Sequence, residues 1–173
     1  MPGISSVTFP ANAAKLAEGP TAVQKALDIL KSTPGVIGAY HGIQVEDGKT
    51  AYFSTIWEGA DAHTAFLKGE GHTAYATALK ALADGPIDGH YVEVDSDPSK
   101  VFDSPVTEGI HFVTKNIDDP VWAQMAASIA SVAPASTWGR SGDNHIMYFV
   151  GWESVEVSRL MFPALSCRAK ESI

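Results

Sequence analysis

The chain has 173 residues, 45% of them hydrophobic and 18% charged, which is typical of a folded globular protein and not of a disordered one. The formal net charge is −8 and no basic stripe is present, so nucleic acid and anionic membrane surfaces are disfavoured as partners. The one cysteine, Cys167, excludes an internal disulfide, and no signal-peptide pattern or apolar run of about 20 residues is found, so we expect a cytoplasmic protein without a membrane span.

The first half of the sequence predicts the order β-α-β-β-α-β, which is a ferredoxin-like unit. A β-rich run ends at Pro10, helical spacing of apolar residues begins at Pro20, and Asp47-Gly48 is a hairpin turn signal. Gly69 interrupts the second helical region, where we expect a break. The predicted elements are strand Ile4–Phe9, helix Pro20–Thr33, strands Val36–Val45 and Thr50–Trp57, helical region Ala60–Leu82 and strand His90–Val94.

The second half predicts the same unit without an obvious last strand. Its elements are strand Gly109–Thr114, helix Asp118–Val132, a strand ending at Arg140, strand His145–Trp152 and helix Ser154–Lys170. When the halves are overlaid, Trp57-Glu58 falls on Trp152-Glu153, and Gly42 falls on Gly139. We therefore predict two repeats, residues 1–97 and 106–173, joined by a linker at 98–105 that is rich in Asp, Ser and Pro.

Two such repeats in one chain predict a barrel. A four-stranded sheet with both helices on one face leaves its other face bare, and a bare apolar face needs a partner. Two copies can cover each other, and an eight-stranded barrel leaves an interior for side chains or one small ligand. The expected fold class is α+β, with two ferredoxin-like repeats (β-α-β-β-α-β) that form a fused α/β barrel.

The sequence resembles the dimeric α/β-barrel superfamily, in a tandem form that covers nearly the whole chain. The resemblance rests on the element order, on "PGVIG" at Pro34–Gly38, on the strand that ends in Trp57-Glu58, and on "FLKGEGHTAYATAL" from Phe66. The superfamily includes antibiotic-biosynthesis monooxygenases, stress-responsive A/B-barrel proteins and polyketide cyclases. The resemblance favours a small-molecule enzyme, either a cyclase or lyase or a cofactor-independent monooxygenase of secondary metabolism. Non-catalytic ligand-binding barrels and haem-binding barrel enzymes remain alternatives, because one fold hosts many functions.

His72 is the first candidate for catalysis. It opens a helix after a glycine-broken loop, and we expect its side chain at the mouth of the barrel. In cyclases of the superfamily a histidine at the matching place is a general base that works with a tyrosine, and an imidazole with a pKa of about 6.5 suits that task. The tyrosine expected six residues earlier is Phe66 here, so Tyr75 is the candidate partner. The alternative is an exposed histidine at a helix start.

The expected substrate is a small apolar molecule, aromatic or polyketide-like. His72 would remove a proton, and cyclisation, elimination, rearrangement or cofactor-free oxygenation would follow. Aromatic and histidine side chains on the strands predict a flat binding wall, although core packing explains such residues as well. The candidate substrate-binding residues are Phe66, Tyr40, His41, Phe53, Trp57, His111, Trp138, Tyr148 and Trp152.

Motifs for other cofactors are missing from the sequence. It contains no His-x-x-x-His, Cys-x-x-Cys or His-Glu-x-x-His pattern, so we expect no metal. It contains no glycine-rich phosphate-binding motif, so we expect no nucleotide cofactor. A haem needs only one axial histidine and stays an open alternative. The expected assembly is a monomer or a homodimer, since an unpaired strand edge could join two chains.

Overall fold

The computed structural model describes residues 1–18, 20–133, 135–142, 144–161 and 169–171. Within these ranges the strands are β1 (Gly3–Pro10), β2 (Val36–Ile43), β3 (Thr50–Trp57), β4 (Asp88–Val94), β5 (Val106–Val113), β6 (Ser136–Ser141), β7 (His145–Trp152) and β8 (Ala169–Glu171). The helices are α1 (Ala13–Leu16), α2 (Pro20–Lys31), α3 (Ala60–Lys68), α4 (Glu70–Leu82), α5 (Ser99–Phe102), α6 (Val121–Val132) and α7 (Val155–Met161).

All these strands belong to one sheet in the order β2-β3-β1-β4-β6-β7-β5-β8, and neighbouring strands in this order are antiparallel. The two end strands, β2 and β8, lie next to each other, so the sheet curls into a barrel. On the opposite side, β4 and β6 join the two halves through only two residue pairs, Glu93 with Arg140 and Val94 with Gly139. The predicted α+β fold with a fused barrel is confirmed.

The strand register shows the internal repeat directly. Gly42 on β2 lies opposite Tyr52 on β3, and Gly139 on β6 lies opposite Met147 on β7. Tyr52 and Met147 each lie five residues before the tryptophan that ends their strand. The overlay of the two halves therefore matches residues that occupy equivalent places in the sheet.

Some predicted boundaries differ from the structure. The helical region after β3 breaks at Gly69 as expected, because the chain there is extended between α3 and α4. The helix predicted over Ser154–Lys170 covers only Val155–Met161, residues 162–168 lie outside the described part, and Ala169–Glu171 form a strand on β5. The second repeat thus has the last strand that the sequence did not reveal. The linker and the repeat boundaries at 97 and 106 stay a prediction; the linker contains α5.

Side-chain alternation separates three cores. On β1 the residues Ser5, Val7 and Phe9 face the helices of the first repeat, whereas Ile4 and Ser6 face the barrel interior. An interior core is shared by both repeats, and each repeat has a further core between its sheet and its helices. The interior core consists of Ile4, Ile56, Val92, Val94, Val101, Phe102, Met147 and Phe149.

None of the helices within the described ranges is both long enough and apolar enough to cross a membrane.

Candidate active site

A cleft of about 270 Å³ lies between the helix pair α3–α4 and the outer face of the sheet in the first repeat. Its floor is formed by β1, β3 and β4, and its walls by the last turn of α3 and the first turns of α4. The side chains that decide its chemistry are aromatic or carry an imidazole. They are Trp57, His63, Phe66, His72, Tyr75, His90 and Tyr91.

The aromatic walls of the cleft pack closely. The rings of Trp57 and Phe66 are 5.3 Å apart between centroids, and Phe66 meets the ring of His72 edge-on at 5.6 Å. The indole Nε1 of Trp57 donates a hydrogen bond to Ser5 Oγ at 2.8 Å, which satisfies the polar end of a buried ring. The cleft therefore offers flat apolar surfaces of the kind that bind an aromatic ring.

Three imidazoles border the same cleft, those of His63, His72 and His90. His63, on the second turn of α3, stacks on Tyr91 with 4.4 Å between ring centroids and 6° between ring planes. Burial lowers the pKa of His63 below its usual value, and the charge that His72 can carry lowers it further. His63 is therefore neutral at pH 7 and offers a nitrogen lone pair.

Two tyrosines that line the cleft, Tyr75 and Tyr91, have buried hydroxyls that lack a hydrogen-bond partner among the described residues. Tyr75 is only 5% exposed, and burial raises its pKa well above the ordinary value for tyrosine. Burial raises the pKa of Tyr91 to about 12, with a contribution from the negative charge of Glu93. Both hydroxyls therefore keep their protons at neutral pH and act as donors.

The position of His72 differs from the sequence expectation. It lies in the cleft on the helix side of the sheet and does not line the barrel interior. The reason is that α3 and α4 pack on the outer face of the sheet, so a residue at the start of α4 cannot reach inside the barrel. Phe66 and Tyr75, which the sequence analysis grouped with His72, do lie beside it. His63 and Tyr91 were not predicted for the site; the position of His63 on the helix that follows Trp57 was the available signal.

Comparisons with known proteins support the fold. No family model matches the chain, and no curated protein sequence matches it. A crystal structure from Fusobacterium nucleatum covers 99% of this chain and 91% of its own at 12% identity, with a TM-score of 0.62. A second, from Lactobacillus acidophilus, covers 99% of this chain and 93% of its own at 14% identity, with a TM-score of 0.61. The names of both proteins include the word monooxygenase. The fold is a fused α/β barrel. At these identities the likeness shows the fold alone.

Among the predicted substrate-binding residues, Phe66 and Trp57 line the cleft, and the others lie elsewhere in the α/β barrel. Phe53 and His41 contact each other on the helix-side face of the first repeat, with ring centroids 4.9 Å apart. Tyr40 packs on Phe102 at 5.2 Å, and its hydroxyl donates to Asp103 Oδ1 at 3.0 Å. The predicted wall is thus divided among separate places in the fold.

In the second repeat, three predicted residues lie in its own helix-side core. Trp138 stacks on Tyr148 at 5.8 Å, and both line a surface groove beside α6. Trp152 is buried, and its Nε1 donates to Glu108 Oε2 at 2.9 Å. Among the residues that the structure describes, no histidine lines this groove, and its acidic side chain is Asp95.

The barrel interior is polar at one end, where it encloses a cavity of about 80 Å³. Hydroxyl side chains line this cavity, among them Ser6, Ser54 and Thr107. Three histidines lie at this end: His90 on β4, His111 on β5 and His145 on β7. The sequence analysis put only His111 in a site, and it did not bring the three together. Sequence spacing could not show this cluster, because it depends on the seam between β4 and β6.

Proposed function

We propose that the α/β barrel is a small-molecule enzyme that works without a nucleotide cofactor, and that the cleft of the first repeat is its active site. The carrying observation is that three imidazoles, among them that of His72, and two tyrosines with unpartnered hydroxyls line one aromatic cleft. A volume of about 270 Å³ is near the lower limit of about 300 Å³ for pockets that hold drug-sized ligands, whereas the interior cavity is far smaller. We therefore place the substrate in the cleft and not in the barrel.

The substrate we propose is a polycyclic, polyketide-like hydroxyketone with an acidic C–H or O–H group. Its rings would lie against Trp57 and Phe66, and the imidazole of His72 would take the proton as general base. The resulting anion needs positive or hydrogen-bonding groups at its oxygen. Tyr75 and Tyr91 supply two neutral O–H donors for it, and neither donor has to give up another bond among the described residues.

His63 has a different part in this scheme. Because it is neutral and stacked on Tyr91, it can accept a hydrogen bond without adding positive charge next to His72. Its lowered pKa makes His63 a weaker base than an ordinary histidine. His63 is thus a positioning residue for the cleft.

The anion can then cyclise, eliminate a leaving group or react with dioxygen. In the oxygenation branch, a CH2 group and O2 give a ketone and water, so one O2 is consumed for each ketone formed. Measurements with an oxygen electrode, with an anaerobic control, separate this branch from cyclisation or elimination. We expect formation of the anion to be the step that all branches share.

The test is turnover of a panel of aromatic hydroxyketones by the wild type and by His72→Gln, which keeps a polar side chain but provides no base. We expect His72→Gln to lower kcat by about 100- to 10,000-fold, the usual contribution of a general base, and to leave ligand affinity nearly unchanged. Trp138→Phe is the matched control for Trp57→Phe, because Trp138 lies in the groove of the other repeat. Only Trp57→Phe should raise KM.

Two results would overturn the proposal. If the panel binds but is never turned over, the protein is a ligand-binding barrel. If the purified protein shows a Soret band that His72→Gln does not affect, haem chemistry at another histidine replaces the proposed mechanism.

A further inference from the structure

The three histidines at the polar end of the barrel form a cluster that the proposed function does not use. One ring nitrogen from each of His90, His111 and His145 lies within 4.8 Å of the other two. His111 Nε2 and His145 Nδ1 are 2.6 Å apart, and the ring centroids of His90 lie 4.6 Å from His111 and 4.8 Å from His145. His111 Nε2 and His145 Nδ1 share a hydrogen bond, so one of them carries a proton that a bound metal ion would displace. Without that proton, three ring nitrogens can meet at one point.

We propose that this histidine cluster binds a divalent transition metal ion. Neutral imidazole is a ligand suited to Zn²⁺, Cu²⁺, Ni²⁺, Co²⁺ and Fe²⁺, and poorly suited to Mg²⁺ and Ca²⁺, which prefer oxygen. Three protein ligands are the number found in catalytic zinc sites, which leave a further position for water or another ligand. His90 also lines the cleft, whereas His111 and His145 do not, and the metal site does not rest on the proposed function.

The fold holds these ligands in place. His111 and His145 project from β5 and β7, which pair along their whole length, and His145 lies opposite Val113 in that register. His90 lies opposite Ser6 on β1 and belongs to β4, the strand of the first repeat that adjoins β6 of the second. Ligands on paired strands are fixed more precisely than ligands on loops. The site therefore needs both repeats and exists only where their sheets meet.

The surroundings also suit a cation. The carboxylate of Asp88 lies 3.4 Å from His90 Nε2 and supplies negative charge beside the cluster. A carboxylate next to a ligating histidine commonly orients the ring and makes it more basic. Ser6, Ser54 and Thr107 line the adjoining cavity, whose volume of about 80 Å³ gives room for water or a small oxygen ligand.

The test is a titration of tag-free, chelator-treated protein with Co²⁺, followed by its visible d–d absorption. We expect one equivalent of Co²⁺ to bind, Zn²⁺ to displace it, and Mg²⁺ to have no effect. His111→Ala and His145→Ala should raise the Kd for Co²⁺ by about 100-fold or more, because the loss of even an outer-shell partner costs 10- to 100-fold. His72→Ala removes a histidine outside the cluster and should leave the Kd unchanged.

Folding of the variants is checked independently. His111 is exposed, so His111→Ala should keep the circular dichroism spectrum of the wild type. Zn²⁺ should raise the melting temperature of the wild type and of His72→Ala, but not that of His111→Ala. His111→Asn serves the same purpose if the alanine variant does not fold. The proposal is overturned if Co²⁺ does not bind, or if the cluster variants bind it as tightly as His72→Ala does.

Discussion

Replacing Tyr75 by phenylalanine should stabilise the protein in the absence of ligand. The side chain is 5% exposed, and its hydroxyl has no hydrogen-bond partner among the described residues. A buried polar group without a partner costs about 1–3 kcal/mol, and we take the lower end because the hydroxyl borders the cleft. A gain of about 1 kcal/mol corresponds to a rise in melting temperature of about 2–4 °C in a chain of this size. The same substitution should lower turnover, because the anion loses a donor.

The assay is urea denaturation of the wild type and of two variants. Tyr148→Phe is the matched control, because Tyr148 is also buried but its hydroxyl donates to the carbonyl oxygen of Trp122 at 2.7 Å. We expect that variant to lose about 1 kcal/mol of unfolding free energy. If Tyr75→Phe is destabilised to the same degree, the Tyr75 hydroxyl is bonded in the free protein, and its assignment as a donor held for the substrate is wrong.

Three further predictions concern other parts of the barrel. Because the pKa of His63 is lower in the folded than in the unfolded chain, its contribution to stability is lost as pH falls below about 6.5, so His63→Gln should flatten the loss of stability below that pH. Gly139→Ala should cost about 1–3 kcal/mol, because a Cβ there would overlap a backbone carbonyl oxygen of β4. Trp152→Phe should cost about 1 kcal/mol more than Trp57→Phe, because Trp152 donates to a buried carboxyl group and Trp57 donates to a hydroxyl.

Each of these predictions has its own check. The pH dependence is measured as melting temperature from pH 5 to 8, and parallel curves for the wild type and His63→Gln would contradict it. Gly109→Ala is the control for Gly139→Ala, because a Cβ at Gly109 meets nothing within 4 Å; equal effects of the two would exclude the steric explanation. For the tryptophans, the unfolding free energies of Trp152→Phe and Trp57→Phe are measured by chemical denaturation. Equal losses would show that a carboxyl acceptor makes the indole hydrogen bond no stronger than a hydroxyl acceptor does.

The fold was predictable because its signals are local and occur twice. Strands β3 and β7 have the predicted bounds, and the tryptophans that end them mark the repeat. The glycine break after α3 and the hairpin turn at Asp47-Gly48 are likewise coded by a few neighbouring residues; Asp47 Oδ1 accepts from the amide of Lys49 at 2.8 Å. Strand β8 was missed because three residues are too few to show alternation.

The candidate site was only partly predictable. Phe66, His72 and Tyr75 come from consecutive turns of two neighbouring helices, so their proximity follows from the sequence. Which face of the sheet those helices cover is decided by tertiary packing. Because they cover the outer face, His72 lies in the cleft and not at the barrel mouth. The histidine cluster depends on strand order around the barrel, which no local pattern encodes.

Because both repeats belong to one chain, each position in one repeat has an equivalent position in the other, and the two can be substituted independently. Ser5 and Glu108 occupy equivalent places, and each accepts a hydrogen bond from the tryptophan of its own repeat. In a barrel assembled from two identical chains, a carboxylate at one place would have to stand at both. Here one repeat can keep a hydroxyl group beside the cleft while the equivalent position in the other repeat carries a carboxyl group. Association of the two repeats is intramolecular, so it does not depend on protein concentration.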